Sequence, residues 1–478
     1  MGISHWAMRG IVILLFLLLY GCIPITQRPI APMDLPANFS MQGEVPLQAR
    51  WWLDLQDKSL TLLIDQAITD NFSLLIAKER IIEAEAIARQ VGASLVPTLD
   101  GQGTTTSTRS YKTDTTRNNF FLGLEASYEI DLWGRLRAQT DAAVLDTRAT
   151  EADYHTAVIS IAAEVATTWY LLVETNMQVE LVTQQKETNS KVLELISAQF
   201  RSGKVGIADV LQQRQLVESN AATLAGLRAN GRVFENQLAI LIGVPPGTAA
   251  LPQRVQLPTL PPLPDTGIPL DLLTNRPDIE SSFLRLQAAD NRVAVAVADQ
   301  FPKLSISADV STSGQHSREL FNNWFSTLGA NLLGPIFDGG RRKEEVLRNE
   351  SISRQRLYSH GQAILEAIGE VENSLIREKE QQVILGSQVT QLQYATETIE
   401  HVGNRYRQGA EGYLRVLQAL VSQQGLQQNI LTSRRQLINF RISLYRAISV
   451  RIPLQETGPV VQNSHTPPCT LQHPIKRQ

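Results

Sequence analysis

The sequence predicts a mainly helical α+β membrane protein in which a few membrane-spanning strands continue into a long helical tube, all built from one duplicated unit. Three observations point there. Two halves of the chain repeat: Val96-Pro97-Thr98-Leu99 matches Phe301-Pro302-Lys303-Leu304, Gly134-Arg135 matches Gly340-Arg341, and Phe200-Arg201-Ser202-Gly203 matches Tyr406-Arg407-Gln408-Gly409, each about 205 residues apart. Proline is absent between Pro97 and Pro245 and again between Pro335 and Pro453, and proline inside a helix costs about 3 kcal/mol, so both tracts are free to form very long helices. Ahead of these tracts, apolar and polar residues alternate with period two. A unit of two strands and long helices cannot bury its own apolar faces, so the repeat governs how the protein assembles.

The elements follow in order. Arg9 precedes an apolar run from Ile11 to Tyr20, too short for a spanning helix of about 20 residues but suited to a secretory signal over residues 1–21. Met8-Arg9 alone would suffice as its start. Leu19-Tyr20-Gly21-Cys22 resembles a bacterial lipobox, which implies acylation at Cys22, and Ile23 after it fits release to the outer membrane. A plain signal peptide with an incidental cysteine is the competing reading. Residues 22–59 form the N-terminal segment, and residues 60–243 the first repeat: a helix over Leu60–Gln90, a β-hairpin at 97–131, a long helix to about Gln199, a tip at 201–208 and a shorter helix. Eight prolines between Pro245 and Pro269 mark an extended linker at 244–269. The second repeat, 270–452, has a helix over Leu270–Asp299, a hairpin at 302–337, a long helix from Arg341 to about Arg405, a tip at 407–412 and a last helix. Residues 453–478 are polar and aperiodic, which predicts disorder and leaves Cys469 a free thiol.

The long tracts are rich in good helix formers, with apolar residues at three and four spacings: Ile161, Val165, Trp169 and Leu172 in one, Ile364, Ile368, Val371 and Leu375 in the other. At 1.5 Å per residue each reaches about 100 Å. The shorter helices cover about 55 Å, so the helices ahead of the strands are expected to complete their columns by stacking end to end.

Phe120, Leu122, Leu124, Ala126, Tyr128 and Ile130 alternate with polar residues including Glu125 and Glu129. Leu304, Ile306, Ala308 and Val310 alternate likewise with serines and Asp309, and Leu328, Ala330 and Leu332 continue the pattern. Thr98–Thr108 is polar on both faces, and polar loops are expected over Thr108–Asn118 and Ser313–Asn323. Such strands are the signature of transmembrane barrels, which need at least about 8. Four strands cannot close one, and open edges are not tolerated in hydrocarbon, so several chains must contribute. Two copies would supply eight strands, three would supply twelve.

The net charge of −3 argues against a nucleic-acid partner. The seven histidines are dispersed, and no metalloprotease, nucleophile-elbow or phosphate-loop motif occurs, so neither an enzyme nor a metal or cofactor site is expected.

Four stretches then add a family likeness: Trp51-Trp52 followed by Leu60, Leu63-Ile64 and Ala67; Asn275-Arg276-Pro277-Asp278-Ile279; Phe301-Pro302-Lys303-Leu304-Ser305; and Pro335-Ile336-Phe337-Asp338-Gly339-Gly340-Arg341. In this order, on the duplication, the chain resembles the TolC-like outer-membrane factors, in their lipoprotein branch serving tripartite multidrug efflux. The resemblance implies a homotrimer with a 12-strand β-barrel in outer-membrane lipid, continued by a 12-helix periplasmic α-barrel that tapers to an aperture. It implies a passive exit channel without enzymatic activity, whose tips dock a periplasmic adaptor linked to an inner-membrane pump. On this chain the docking residues are Gly203, Lys204, Val205, Gly206, Gly409, Ala410 and Gly412. The gate candidates are Asp209, Tyr406, Glu411, Arg415 and Gln418. Here the chain departs from the family, whose acidic stretch past the second tip reads Arg415-Val416-Leu417-Gln418. Asp209 of one tip is expected to face Arg415 of the other; capping by Asp209 and a solvated Arg415 are the alternatives. Trp51-Trp52 suits either an interfacial anchor or packing against the tube. A type I secretion channel, or a coiled-coil structural lipoprotein, are the competing functions.

Overall fold

The computed structural model describes residues 33–252 and 256–452; Cys22, the signal segment, Cys469 and the tail lie outside the described residues. Six elements run α1 (Lys58–Asp70), α2 (Phe72–Gly92), β1 (Thr98–Ser110), β2 (Thr115–Ile130), α3 (Arg135–Arg201) and α4 (Ile207–Leu241). Six more follow in the same order: α5 (Pro269–Asn275), α6 (Pro277–Ala298), β3 (Lys303–Gly314), β4 (Trp324–Leu333), α7 (Arg341–Arg407) and α8 (Tyr413–Ile448).

The two long helices, α3 and α7, have the same length, 67 residues. Each starts from a glycine in the left-handed region, Gly134 at φ 73° and Gly340 at φ 86°, where a side chain would be strained. An aspartate ahead of each corner ties down the first free N–H groups. Leu136 and Arg137 donate to Asp131 at 3.1 and 3.0 Å, and Arg342 donates to Asp338 at 3.3 Å.

The helices expected over Leu60–Gln90 and Leu270–Asp299 are each broken once. Between α1 and α2 the axis turns by 41°. Asn71 sits at the break, its Oδ1 accepting from Ser73 and Leu74 as a cap and its Nδ2 donating to Leu241 O, the end of α4, at 2.8 Å. Between α5 and α6 the break is at Arg276, followed by Pro277 in the first helical turn, where its missing N–H costs nothing. Arg276 Nη1 donates to Ala447 O, at the end of α8, at 2.9 Å. So α4 ends on the α1/α2 joint and α8 on the α5/α6 joint. Gly243 passes so close to the first joint that a Cβ there would lie 2.3 Å from Asp70 O.

These stacks and the long helices make four columns. Near the sheet the packing order is α2–α3–α6–α7; toward the tips it is α4–α3–α8–α7. The four strands form one antiparallel sheet in the order β1-β2-β3-β4. Its centre is the pairing of β2 with β3, which joins the repeats, with Leu124 opposite Val310 and Glu125 opposite Asp309. Opposed residues share a face, so the alternation seen in the sequence yields one apolar and one polar face. The first loop is shorter than expected: β1 runs to Ser110 and β2 begins at Thr115, with Arg109 bonded to Asp114 across the turn at 2.7 Å.

The core lies at the joints. Trp51, Trp52, Leu60, Ile64, Trp169 and Ile442 form one apolar cluster, and Ile279, Ile364, Val371, Leu375 and Leu444 another. Trp51 and Trp52 are fully buried (0 % exposed), which rules out the interfacial anchor and leaves the packing role. Trp51 stacks on Tyr445 with ring centres 5.3 Å apart. Beside it Arg441, also buried, donates to both oxygens of Glu378 and to the linker carbonyls of Pro261 and Pro262 at 2.9 Å each. Burial and the nearby Asp54 push the Tyr445 hydroxyl up to about 12. The guanidinium thus straps the linker onto α8.

Candidate functional site

A cleft of about 810 Å³ runs across the helices next to the sheet. It touches α2 and α7, the outermost columns, through Glu83, Ile87, Glu345 and Asn349, with α3 and α6 between them. A cleft that reaches both ends of a curved wall lies on its concave side. Its charges are matched: Arg285 pairs with Asp153 and Arg292 with Asp146, two α6 arginines and two α3 aspartates each seven residues apart. Arg135 donates to Glu129 at 2.8 Å. Ala249 and Leu251 of the linker share a groove with Trp169 and Arg232, and Gln256 lies by Gln427, Ile430 and Leu431; Trp169 follows the cleft residue Asp153 by sixteen positions on α3, a turn of about 160°, so the linker runs on the opposite, convex side.

The two tips repeat one turn. Gly203 at φ 74° and Gly409 at φ 73° reverse the chain, with Lys204 N–H bonded to Gln199 O at 3.0 Å and Ala410 N–H to Arg405 O at 2.9 Å. The left-handed residue closes the long helix by satisfying its last carbonyls. Gly206 and Gly412 then occupy the N-cap positions of α4 and α8. Lys204, Ala410 and Gln418 are exposed, and Val205 is half-buried against an apolar cluster of Ile196, Val210, Tyr413 and Leu417 that joins one tip to the other.

Polar contacts tie the tips together as well. Tyr406 OH donates to Gln199 Oε1 at 2.7 Å, and Tyr413 OH to Gln213 Oε1 at 2.5 Å. Burial, then the nearby Asp209, holds the Tyr406 hydroxyl above the usual phenol range; burial raises Tyr413 further, with Tyr406 and Asp209 adding to it. The expected opposition of Asp209 and Arg415 is not what holds either side chain. Asp209 accepts from the Gly206 N–H at 3.3 Å, a capping role, and Arg415 is bonded to Glu411 at 3.3 Å, one helical turn away. Glu411 also faces Arg405 at 3.5 Å. A carboxylate between two arginines is their nearest counter-charge, which satisfies Arg415 within its own tip.

Tyr413, Gln199 and Gln213 were not among the sequence candidates; the pairing of aromatic and amide positions across tips about 200 residues apart leaves no local pattern. A second feature absent from the sequence reading is the seam between α3 and α8. Glu174 accepts from Arg435 and Thr432 at 2.7 Å each. Gln178 donates to Gln428 O at 2.9 Å, and Gln185 to Gln427 Oε1 at 2.9 Å. Asn189 and Gln424 exchange two amide bonds of 3.1 Å, and Gln213, on α4 of the same repeat as Asn189, donates to Asn189 O at 2.7 Å. Between the joint core and the apolar cluster at the tips, therefore, the repeats meet largely through amides.

The chain matches the outer membrane efflux protein family model in two stretches, residues 63–244 and 268–450. It is 30% identical to the pyoverdine export outer membrane protein OpmQ of Pseudomonas aeruginosa, over 84% of this chain and 86% of that protein. It is 28% identical to the toluene efflux pump outer membrane protein TtgI of Pseudomonas putida, over 90% of this chain and 96% of that one. Among solved structures, the outer membrane protein VceC of Vibrio cholerae superposes with a TM-score of 0.79 at 25% identity, covering 85% of this chain and all (100%) of that one. A sheet that alternates between apolar and polar faces, two equal long helices and this twofold match agree: the chain is a TolC-like member of the outer membrane efflux protein family, and its place is the outer membrane.

Proposed function

We propose that three copies close a single duct, the passive exit channel of a tripartite efflux system that carries small molecules out of the cell envelope. The observation that carries this reading is the pair of open edges. β1 and β4 each have one unpaired side in a sheet whose apolar face must meet lipid, and four strands fall short of the about 8 a closed barrel needs. The helices show the same incompleteness. On α7, Leu347, Tyr358, Leu365, Ile376, Val383 and Tyr394 are exposed at steps of eleven and seven residues, one straight stripe turned away from α6 and α8. On the other outer column Ile76, Ile87, Leu211, Val233 and Ile240 are exposed too. Joining the fourth column of one copy to the first of the next covers both stripes and pairs both strand edges, giving twelve strands and twelve columns.

In this assembly the tips form the far rim. Gly203, Lys204, Val205, Gly206, Gly409, Ala410 and Gly412 would seat a periplasmic adaptor linked to an inner-membrane pump. Asp209, Tyr406, Glu411, Arg415 and Gln418 would border the aperture, and an acyl chain on Cys22 would fasten the N-terminus to outer-membrane lipid. A coiled-coil spacer is the weaker reading, because it has no use for a four-stranded sheet with open edges. The test is direct: detergent-purified protein runs as an SDS-sensitive trimer and gives stepwise conductance in planar bilayers. A monodisperse monomer without channels overturns the proposal. Crosslinking in cells through Lys204, which is exposed at the tip, captures the adaptor.

A further inference from the structure

The tip end of the wall carries its own charge pattern. From Gln199 to Asp209 and from Arg405 to Arg415 the cations are Arg201, Lys204, Arg405, Arg407 and Arg415, against Asp209 and Glu411. Asp209 is engaged at a helix N-terminus, and Glu411 is shared by Arg405 and Arg415, so that trio keeps one net positive charge. The helix that follows has the same bias. α8 contains five arginines and no Asp or Glu. Three of them are paired with acids on other helices: Arg435 with Glu174, Arg441 with Glu378 and Arg446 with Glu370. Between Arg415 and Arg434 no ionisable residue occurs.

Which way this part of α8 faces follows from helix geometry. Gln427, Ile430 and Leu431 lie on the linker side, which is the convex side. Gln418 and Gln427 are nine residues apart, as are Ser422 and Leu431, and nine steps of about 100° bring the chain to the opposite face. Gln418, Ser422 and Asn429 are exposed on that concave face, and Arg415, three residues before Gln418, belongs to the same stripe. Its side chain is 67 % exposed. Arg415 is the one cation of this stretch of α8, at its tip end, with exposed Leu414 and Val421 along one edge of the stripe and Glu411 one turn ahead of it.

We infer that Arg415 makes the tip-end opening of the duct favour anions and sets its preference for anionic solutes. This rests on the trimeric duct proposed above, in which three Arg415 side chains ring the opening. Fixed rings of one charge select ions of the other, and the effect is strong only where the passage is comparable with the screening length, about 8 Å at physiological salt. The matched ion pairs beside the sheet, Arg285–Asp153 and Arg292–Asp146, add no such bias there.

The experiment uses the full-length protein in planar bilayers across a potassium chloride gradient. The wild type shows a reversal potential of the sign for chloride preference. Arg415→Glu moves it toward potassium, Arg415→Gln moves it part of the way, and Arg232→Glu on the convex side leaves it unchanged. A potassium preference in the wild type, or a reversal potential that neither Arg415 substitution moves, overturns the inference while the duct stands. Absence of any channel in the wild type removes the duct and this inference with it.

Discussion

At the scale of single residues, buried charges do the fastening. Arg441 and Glu378 are almost wholly out of solvent, and the arginine also holds two linker carbonyls. Breaking such a pair leaves an uncompensated charge, so Arg441→Ala should destabilise the protein by about 3–5 kcal/mol, read as a large drop in thermal midpoint in detergent. Joint substitution with Glu378→Leu should recover much of that loss, because a well-packed apolar pair no longer buries a lone carboxylate. Arg276 is a second fastener: it bonds Asp278 and Glu370 while capping the end of α8. Nothing in the sequence around Arg441 distinguishes it from a solvated arginine on a helix. Its partner lies 63 positions away on a different helix, and only the packing of α7 on α8 reveals the pair.

Among the elements, the α3–α8 seam changes character along its length. Near the joints Trp169 of α3 and Ile442 of α8 share one apolar cluster, whereas farther toward the tips Gln178, Gln185, Asn189, Gln424 and Gln428 hold the two helices together. Polar residues at helix contacts fix register at some cost in stability. Asn189→Leu or Gln424→Leu alone should cost about 1–3 kcal/mol, since each strands the other amide, and the double substitution should be close to neutral. Thermal unfolding of the three variants completes that cycle. The long helices were legible because proline is missing over both tracts, and β2 and β3 because their alternation is strict. The break at Asn71 was not legible, because asparagine is tolerated inside a helix and its partner, the Leu241 carbonyl, is distant in the chain. The matching break at Arg276 was half visible through Pro277. The seam hid for a related reason: glutamines spaced along a good helix read as a solvated face. The chain reverses at Gly203 and Gly409, as their sequence context predicts, yet the side chains of Asp209 and Arg415 are held by their nearest neighbours, Gly206 and Glu411, rather than by each other.

For the whole molecule, the decisive property is incompleteness. In the proposed duct, the two open strand edges and the stripe of exposed Leu365, Ile376 and Val383 along a 67-residue helix are what neighbouring copies cover. Charges placed within that stripe, as in Leu365→Asp with Val383→Asp, should release monomers that keep their helical circular dichroism, which light scattering in detergent would detect. The two repeats also differ in a useful way, because the second supplies the basic tip and the acid-free α8 while the first supplies the Asn71 joint.

The joints have a mechanical meaning. Columns one and three are each cut where one helix ends on another, while columns two and four, α3 and α7, run unbroken past the same level. Around a ring built by repeating this chain, cut and uncut columns alternate, as bricks are staggered between courses. No continuous line of weakness can then circle the wall, so the tube resists being pulled apart along its axis. Twisting strain gathers at the cut columns, where two capping side chains, rather than covalent backbone, carry the load.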